Sequence, residues 1–341
     1  MNNNIKVEVP DNFNQNYLHP FFESLYNVQD EEEVIIDFSQ LSYSFPMGML
    51  VFGSYLRRWA ITRKENGFRT SAEGIDTSKS VHNYLMHLGF FKFIRINLGK
   101  AIGEASGSNT YIPIRQITRT ELENYARENN EQLVDAIEFE SRSLAFILAG
   151  SNQNSQDITT YSYAIREILR NVFEHSGIDK CFLCGQRWYD GSSEIAIVDE
   201  GVGIYETIKQ AYSVSNAEEA IQLAIQPGIT RAISLSEQEN IYNNSGYGLY
   251  VLSELGNSFG WFCIGSDSAK LTYKSKNKYV EPFNFQGTFI GVHLDRTPFN
   301  FKGVLDDIIC EGEQEALSKG RLNLASSISK SLSYNQTEQQ L

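Results

Sequence analysis

Tyr163-Ala-Ile-Arg-Glu-Ile-Leu-Arg-Asn-Val-Phe-Glu-His175 decides how the chain is read. Wound at about 100° per residue, it puts Ile165, Ile168, Leu169, Val172 and Phe173 on one arc and Glu167, Arg170, Asn171, Glu174 and His175 on the opposite one. The pattern predicts a helix that packs on one side only. A solvated polar face is the ordinary fate of such an arc. Here, however, Glu167, Asn171 and His175 stack at i, i+4 and i+8, bringing a carboxylate, an amide and an imidazole to one stripe.

Downstream, Ser193-Glu-Ile-Ala-Ile-Val-Asp-Glu-Gly-Val-Gly-Ile204 is a β-type run ending in Asp-x-Gly-x-Gly. An acceptor at a strand end can take a hydrogen bond from an exocyclic amine, and glycines let a flat ligand approach the backbone. The run therefore suits a purine pocket, with a tight turn as the alternative. Next, Asn243-Asn-Ser-Gly-Tyr-Gly-Leu-Tyr-Val-Leu-Ser-Glu-Leu255 is a glycine-rich loop leading into an apolar-periodic helix, where backbone N–H groups and the helix dipole can hold phosphate. It lacks the Lys of a Walker A loop and the spacing of a dinucleotide fingerprint, and by itself reads equally as a helix start. Last, Phe285-Gln-Gly-Thr-Phe-Ile-Gly-Val-His-Leu294 puts Gly287 and Thr288 at the beginning of a final strand.

These four segments, in this order and at this spacing, resemble the N, G1, G2 and G3 boxes of GHKL ATPases, the class of gyrase, heat-shock chaperone ATPases, histidine kinases, anti-sigma kinases and MutL. The resemblance covers residues 130–298 and implies an α/β fold, the two-layer Bergerat sandwich, with a mixed sheet carrying its helices on one face. It also implies ATP and Mg²⁺ as ligands. By this resemblance Asn171 is similar to the Mg²⁺ ligand that bridges protein and triphosphate, Asp199 to the acceptor of the adenine amine, and Gly201 and Gly203 to the close-approach glycines. Thr288 is similar to the residue that helps Asp199 hold the base. Gly246 and Gly248 would line the phosphates, with Tyr247 and Leu249 in the same ATP-binding segment. Residues 205–245 correspond to the ATP lid, in which Lys209, Thr230 and Arg231 could meet phosphates. Glu167 resembles the catalytic base of the hydrolysing and serine-phosphorylating branches; the alternative for it is an ion pair with Arg166 or Arg170. His175 resembles the Asn-x-x-x-His ending of anti-sigma and histidine kinases, where its role is structural or near the phosphates. His19, His82, His87 and His293 lack the dimerisation-helix context of a phosphoacceptor.

Three functions follow from the resemblance. The leading one is a Mg²⁺-dependent ATPase whose lid closure regulates a partner or its own N-terminal domain. The others are a serine/threonine protein kinase of the anti-sigma type and a non-catalytic module in which nucleotide gates assembly. A regulatory protein partner is expected alongside the adenine nucleotide, and family members often dimerise, so a homodimer is expected as well.

Upstream, alternating Ile5, Val7 and Val9 and the apolar run Val34-Ile-Ile-Asp-Phe38 predict two strands. Residues 48–59 read as a helix, 67–71 as a third strand, 78–88 as a second helix and 91–96 as a fourth strand. This order, with Asp37-Phe-Ser-Gln-Leu41 ahead of the helix, resembles the STAS domain of anti-sigma-factor antagonists over residues 1–100. In place of that family's phosphoacceptor turn stands Ser44-Phe-Pro-Met-Gly48, with Pro46 or Met47 at the acceptor position. A scaffold or docking role is expected instead of a phosphorylation switch. Residues 103–113, rich in Gly, Ser and Asn, read as a surface connection, and 120–149 as one long helical stretch. The expected division is a STAS-like domain over 1–105, a linker and the start of a connecting helix over 106–130, the ATPase domain over 131–298, and a tail over 299–341 that is partly helical and then frays from Ser326.

Composition sets the limits. A chain of 341 residues leads one to expect two domains. With 29 basic against 42 acidic residues the balance is −13, which repels phosphate backbones and anionic lipid heads, so nucleic acid and membrane surfaces are disfavoured as partners. No apolar stretch is long enough to span a bilayer and Met1-Asn2-Asn3-Asn4 carries no signal sequence, so the chain reads as cytoplasmic. Cys181 and Cys184 form a Cys-x-x-Cys with no second ligand pair to complete a zinc site, and read as buried core cysteines.

Overall fold

The computed structural model describes residues 5–150, 155–230 and 244–332. Its N-terminal unit runs β1 (Ile5–Glu8), β2 (Asn12–Phe13), α1 (Leu18–Asn27), β3 (Glu33–Asp37), β4 (Tyr43–Ser44), α2 (Pro46–Glu65), β5 (Arg69–Glu73), α3 (Ser80–Leu88) and α4 (Phe90–Phe93). Strands β1, β3 and β5 pair in parallel in that order, with α1 and α2 as the crossovers. Pro46 opens α2, where its missing N–H costs nothing. Residues 91–96, expected as a strand, are instead α4 and the turn after it. Gly89 ends α3 in the left-handed region at φ 87°, and the chain reverses there and winds again. The run Phe90-Phe-Lys-Phe93 is too short for its periodicity to tell strand from helix.

The second unit runs β6 (Tyr111–Thr118), α5 (Arg119–Asn129), α6 (Leu133–Ala149), α7 (Ser155–His175), β7 (Lys180–Arg187), β8 (Ser193–Asp199), α8 (Ile204–Ile208), α9 (Ala217–Ala224), α10 (Gly248–Phe259), β9 (Gly260–Lys274), β10 (Asn277–Leu294), α11 (Phe301–Ser318) and α12 (Ser327–Lys330). Its sheet has the order β6-β7-β8-β10-β9. Every pairing in it is antiparallel, so the expected mixed sheet is not the one that forms. Short connections join β7 to β8 and β9 to β10, and only antiparallel strands can be joined so tightly.

The α/β class holds, but helices do not sit on one face alone. Residues alternate across the sheet: Cys181 and Leu183 belong to the core shared with α6, α7, α9 and α10, whereas Phe182 and Cys184 belong to the core shared with α2 and α4. The N-terminal unit thus covers the second face. The same alternation puts Cys181 and Cys184, both buried, on opposite faces of β7, as core cysteines.

Residues 106–130 are not a linker, since β6 is an edge strand of the main sheet. Pro113 hides it from a sequence reading, and lies in the register shift between Ile112 and Arg115 where a ladder N–H is dispensable. The stretch 120–149 breaks into two helices, because Asn130 takes φ 55° and Gln132 with Asp135 caps the next helix. The tail does not fray from Ser326. Residues 321–332 lie along the second unit, with Ser329 buried, while 333–341 lie outside the described residues. Among the described residues no helix is long and apolar enough to cross a membrane.

Candidate functional site

Helix α7 is buried on both arcs. Ile165, Ile168 and Leu169 enter the core as expected, but Arg166, Glu167, Arg170 and Glu174 are also buried. For Arg166 part of the cause lies far away in sequence. Arg166 Nη2 donates to the carbonyls of Ile328 at 3.0 Å and Ser331 at 3.2 Å, and the Tyr163 hydroxyl donates to the Ser329 carbonyl at 3.2 Å. The C-terminal segment is a strap across the polar arc.

Beside the strap, α7, β8, α8, α10 and β10 enclose a cavity of about 660 Å³, part of it open to solvent. Asn171 and His175 from α7, Asp199 from the end of β8, Leu249 from α10 and Thr288 from β10 all line it, and Val172, Ile264 and Ile290 make it predominantly apolar. Residues separated by more than a hundred positions thereby share one concave site.

Asp199 and Thr288 are directly opposed in the β8–β10 ladder. Gly201 N–H donates to Asp199 Oδ1 at 2.9 Å, and Thr288 adds hydrogen bonds from across the ladder. Burial nevertheless dominates and pushes the Asp199 carboxyl up to about 7, the hydrogen bonds from Gly201 and Thr288 opposing it. Thr288 lies within β10, past the irregular pairing between Phe285 and Thr288, and not at the strand's beginning.

Glu167 is held by both neighbouring arginines: Arg166 Nε at 3.1 Å from Oε1, and Arg170 Nη1 at 3.0 Å from each carboxylate oxygen. Asn171 lies one turn on and donates its Nδ2 to the Glu167 carbonyl at 2.7 Å, which leaves Oδ1 as its acceptor. Gly248, the first residue of α10, faces these groups so closely that a Cβ there would stand 2.5 Å from Glu167 Oε2. Helix α7 and the glycine loop meet at this point.

The other glycines serve the fold more than the cavity. A Cβ at Gly201 would strike the Ser176 carbonyl oxygen at 2.1 Å, and Gly246, at φ 80°, backs onto the Ile229 backbone. Gly203 lines the cavity, at φ 82°, with the Asp267 carboxylate behind it. Tyr247 is fully buried and turns away, its hydroxyl donating to the Asn323 carbonyl of the strap at 2.9 Å.

Of residues 205–245, expected as a lid, 205–230 are folded, with Ala220, Ile221 and Ile225 of α9 and its end buried in the core. Thr230 lines the cavity, whereas Lys209 is on the surface paired with Glu206; Arg231 lies outside the described residues. Asn244 Nδ2 donates to Glu174 Oε2 at 2.7 Å and lies 3.2 Å from His175 Nε2, tying the glycine loop to the end of α7.

Two residues that sequence reasoning missed brace this site. The Ser266 hydroxyl accepts from Ile204 N–H at 2.8 Å and donates to the Gly287 carbonyl at 2.7 Å, and Asp267 Oδ2 accepts from Tyr205 N–H at 3.0 Å. Gly265-Ser-Asp-Ser268, a polar interruption in an otherwise apolar strand, was the available signal. No family model matches the chain, and no curated protein matches it.

Proposed function

We propose that the chain is a Mg²⁺-dependent, ATP-binding protein of the GHKL class, with a Bergerat-type nucleotide domain and a STAS-like N-terminal unit. The observation that carries this reading is the convergence of Asn171, Asp199, Leu249 and Thr288 on one largely apolar cavity. In this reading the adenine ring would lie among Val172, Ile264 and Ile290, which line the cavity together with Asp199, the acceptor for its amine. The phosphates then point to the start of α10, where backbone N–H groups and the helix dipole favour negative charge.

Among the described residues no group of three His, Cys, Asp or Glu is placed to hold a metal. The Asn171 amide oxygen, with phosphate oxygens and water, is a donor set that suits Mg²⁺, which prefers hard oxygens and keeps its waters. When bound, the ion neutralises triphosphate charge. Asn171 orients it, and Glu167, one turn before Asn171 and engaged by Arg166 and Arg170, is the carboxylate that would position and deprotonate an attacking water.

A second reading, a nucleotide-gated module without turnover, draws on the two arginines that already occupy Glu167. Transfer to the chain's own turn before α2 is disfavoured, because Pro46 and Met47 at the acceptor position carry no hydroxyl and are buried.

Thermal unfolding with ATP, ADP and GTP, each with and without Mg²⁺, tests the binding claim. Saturating ATP·Mg²⁺ is expected to stabilise the protein by about 2.7 kcal/mol at one hundred times Kd. Indifference to adenine nucleotides sinks it. Steady-state phosphate release separates the two readings. In an ATPase, Glu167→Gln lowers turnover by about a hundredfold or more while ATP still binds; in a switch, the unmodified protein binds ATP and releases no phosphate.

A further inference from the structure

We propose that the N-terminal unit takes an acidic, apolar peptide segment of a partner protein as a fourth strand on β5, in the groove between β5 and residues 94–96. Strand β5 pairs with β3 alone and is the edge of its sheet. Arg69 N–H donates to the Glu32 carbonyl and Phe38 N–H to the Glu73 carbonyl, so residues 69, 71 and 73 turn their backbone groups toward β3. In a parallel ladder the intervening Thr70 and Ala72 turn theirs outward. Among the described residues neither N–H meets an acceptor. An edge of this kind is a template for another strand.

Beside that edge lies a groove of about 1260 Å³, open to solvent. Its floor is apolar, built from Ile36, Phe38 and Leu56, and its far wall is residues 94–96. That four consecutive residues of β5, 69–72, line it shows that it follows the strand's backbone edge and not just one face. The five residues of β5 can pair with an extended segment of similar length at about 3.3 Å per residue.

Charge selects the occupant. Lys64, Arg69 and Arg95 stand around the groove against Glu33, which Arg69 already engages at 3.2 Å. This cationic rim belongs to a chain whose overall balance is −13. Arg95 is held at φ 68°, a conformation that glycine would adopt without strain. A segment with apolar residues toward the floor and carboxylates toward the rim meets both demands.

The test uses the full chain and a fluorescein-labelled peptide, Val-Glu-Val-Asp-Val-Glu, followed by anisotropy beside its counterpart with Lys at each acidic position. The acidic peptide is expected to bind with Kd on the order of 10 μM, and the Lys peptide at least about tenfold more weakly. Raising salt from about 0.05 to 0.5 M is expected to weaken binding. Ala72→Pro removes one outward N–H and no bond to β3, so binding falls about tenfold while the melting temperature holds. Arg95→Gly relaxes the backbone, keeps the fold and weakens binding about threefold or more. Hydrogen exchange is expected to slow at Thr70 and Ala72 on peptide binding. Equal binding of the two peptides, no binding by about 1 mM, or full affinity in Ala72→Pro overturns the proposal. So does displacement of the peptide by laurate without change in β5 exchange, which assigns the groove to a small amphiphile.

Discussion

Asp199 carries its chemistry in a single proton. Its carboxyl titrates near 3.8 when exposed and is pushed up to about 7 by burial in the folded chain. Between those values the folded protein holds a proton that the unfolded chain has released. The group therefore favours folding fully below pH 3.8, and its contribution fades as pH rises through about 7. An amine donor at the cavity favours the carboxylate, as Gly201 and Thr288 already do. ATP binding near pH 7 is then expected to release a fraction of a proton, and affinity to rise as pH passes from about 6 to 8. Calorimetry in buffers of different ionisation enthalpy measures this directly. Asp199→Asn is expected to abolish the release and weaken binding by about 10- to 100-fold. Buffer-independent heat at pH 7 counts against an amine on Asp199. Asp199 was legible as a strand-end acceptor from local pattern, whereas its pairing with Thr288 was expected only through the family resemblance, because local pattern does not say which strands lie side by side. The direction of Tyr247 was not legible, since a loop sequence does not say which way a ring turns.

At the scale of an element, α7 teaches the same lesson more sharply. Its apolar arc was read from periodicity and is buried as expected, but its polar arc is buried too. The reasons are the glycine loop and the start of α10, which meet Glu167 and Glu174, and a strap from residues 321–332, which no periodicity announces. Asn323 Nδ2 donates to the Gly228 carbonyl at 2.9 Å, Arg321 Nη1 to the Pro227 carbonyl at 3.0 Å, and Ser326 N–H to the Ser245 hydroxyl at 2.9 Å. With Tyr163 and Arg166, the strap thus ties α7, residues 227–228 and the glycine loop together. The local signal was only the Ser326 cap, whose hydroxyl accepts from Ser329 N–H at 3.2 Å. Ending the chain after Gly320 removes these partners and opens Tyr163 and Arg166 to water, at about 0.5–1.5 kcal/mol for each hydrogen bond lost. The expected outcome is a melting temperature lower by about 5 °C. Hydrogen exchange is expected to quicken at 226–230 and 244–248 and nucleotide to associate faster. Unchanged exchange in those two segments would show that the strap merely rests on them.

The whole molecule is joined through α2. Residues 46–54 of α2 are buried without interruption, and a helix apolar all round is one that packs on both sides. The sequence Pro46-Met-Gly-Met-Leu-Val-Phe-Gly-Ser54 therefore contained the sign that the N-terminal unit is not free-standing, but not the surface it meets. Met47 N–H donates to Glu194 Oε1 at 2.8 Å inside that interface. Farther along, Ser54 donates to Glu200 Oε1 at 2.6 Å, Arg57 pairs with the same carboxylate, and Arg58 Nη1 donates to the Gln286 carbonyl at 2.9 Å. Glu200 follows Asp199 and Gln286 precedes Gly287-Thr288, so α2 holds a side chain next to one member of the opposed pair and a backbone carbonyl close to the other. A fragment of residues 106–341 would expose Phe182, Val198, Cys263 and Phe289, and is expected to aggregate on size-exclusion chromatography where the full chain does not. Coupling finer than folding is tested in the full chain by Arg57→Ala, which leaves Glu200 with Ser54 alone. If α2 sets the position of Asp199, ATP affinity falls about three- to tenfold, since losing a partly buried pair loosens the adjoining strand end by about 1 kcal/mol. If affinity holds while the melting temperature drops, the two units share a core but not a signal, and the N-terminal groove reports to some other part of the molecule.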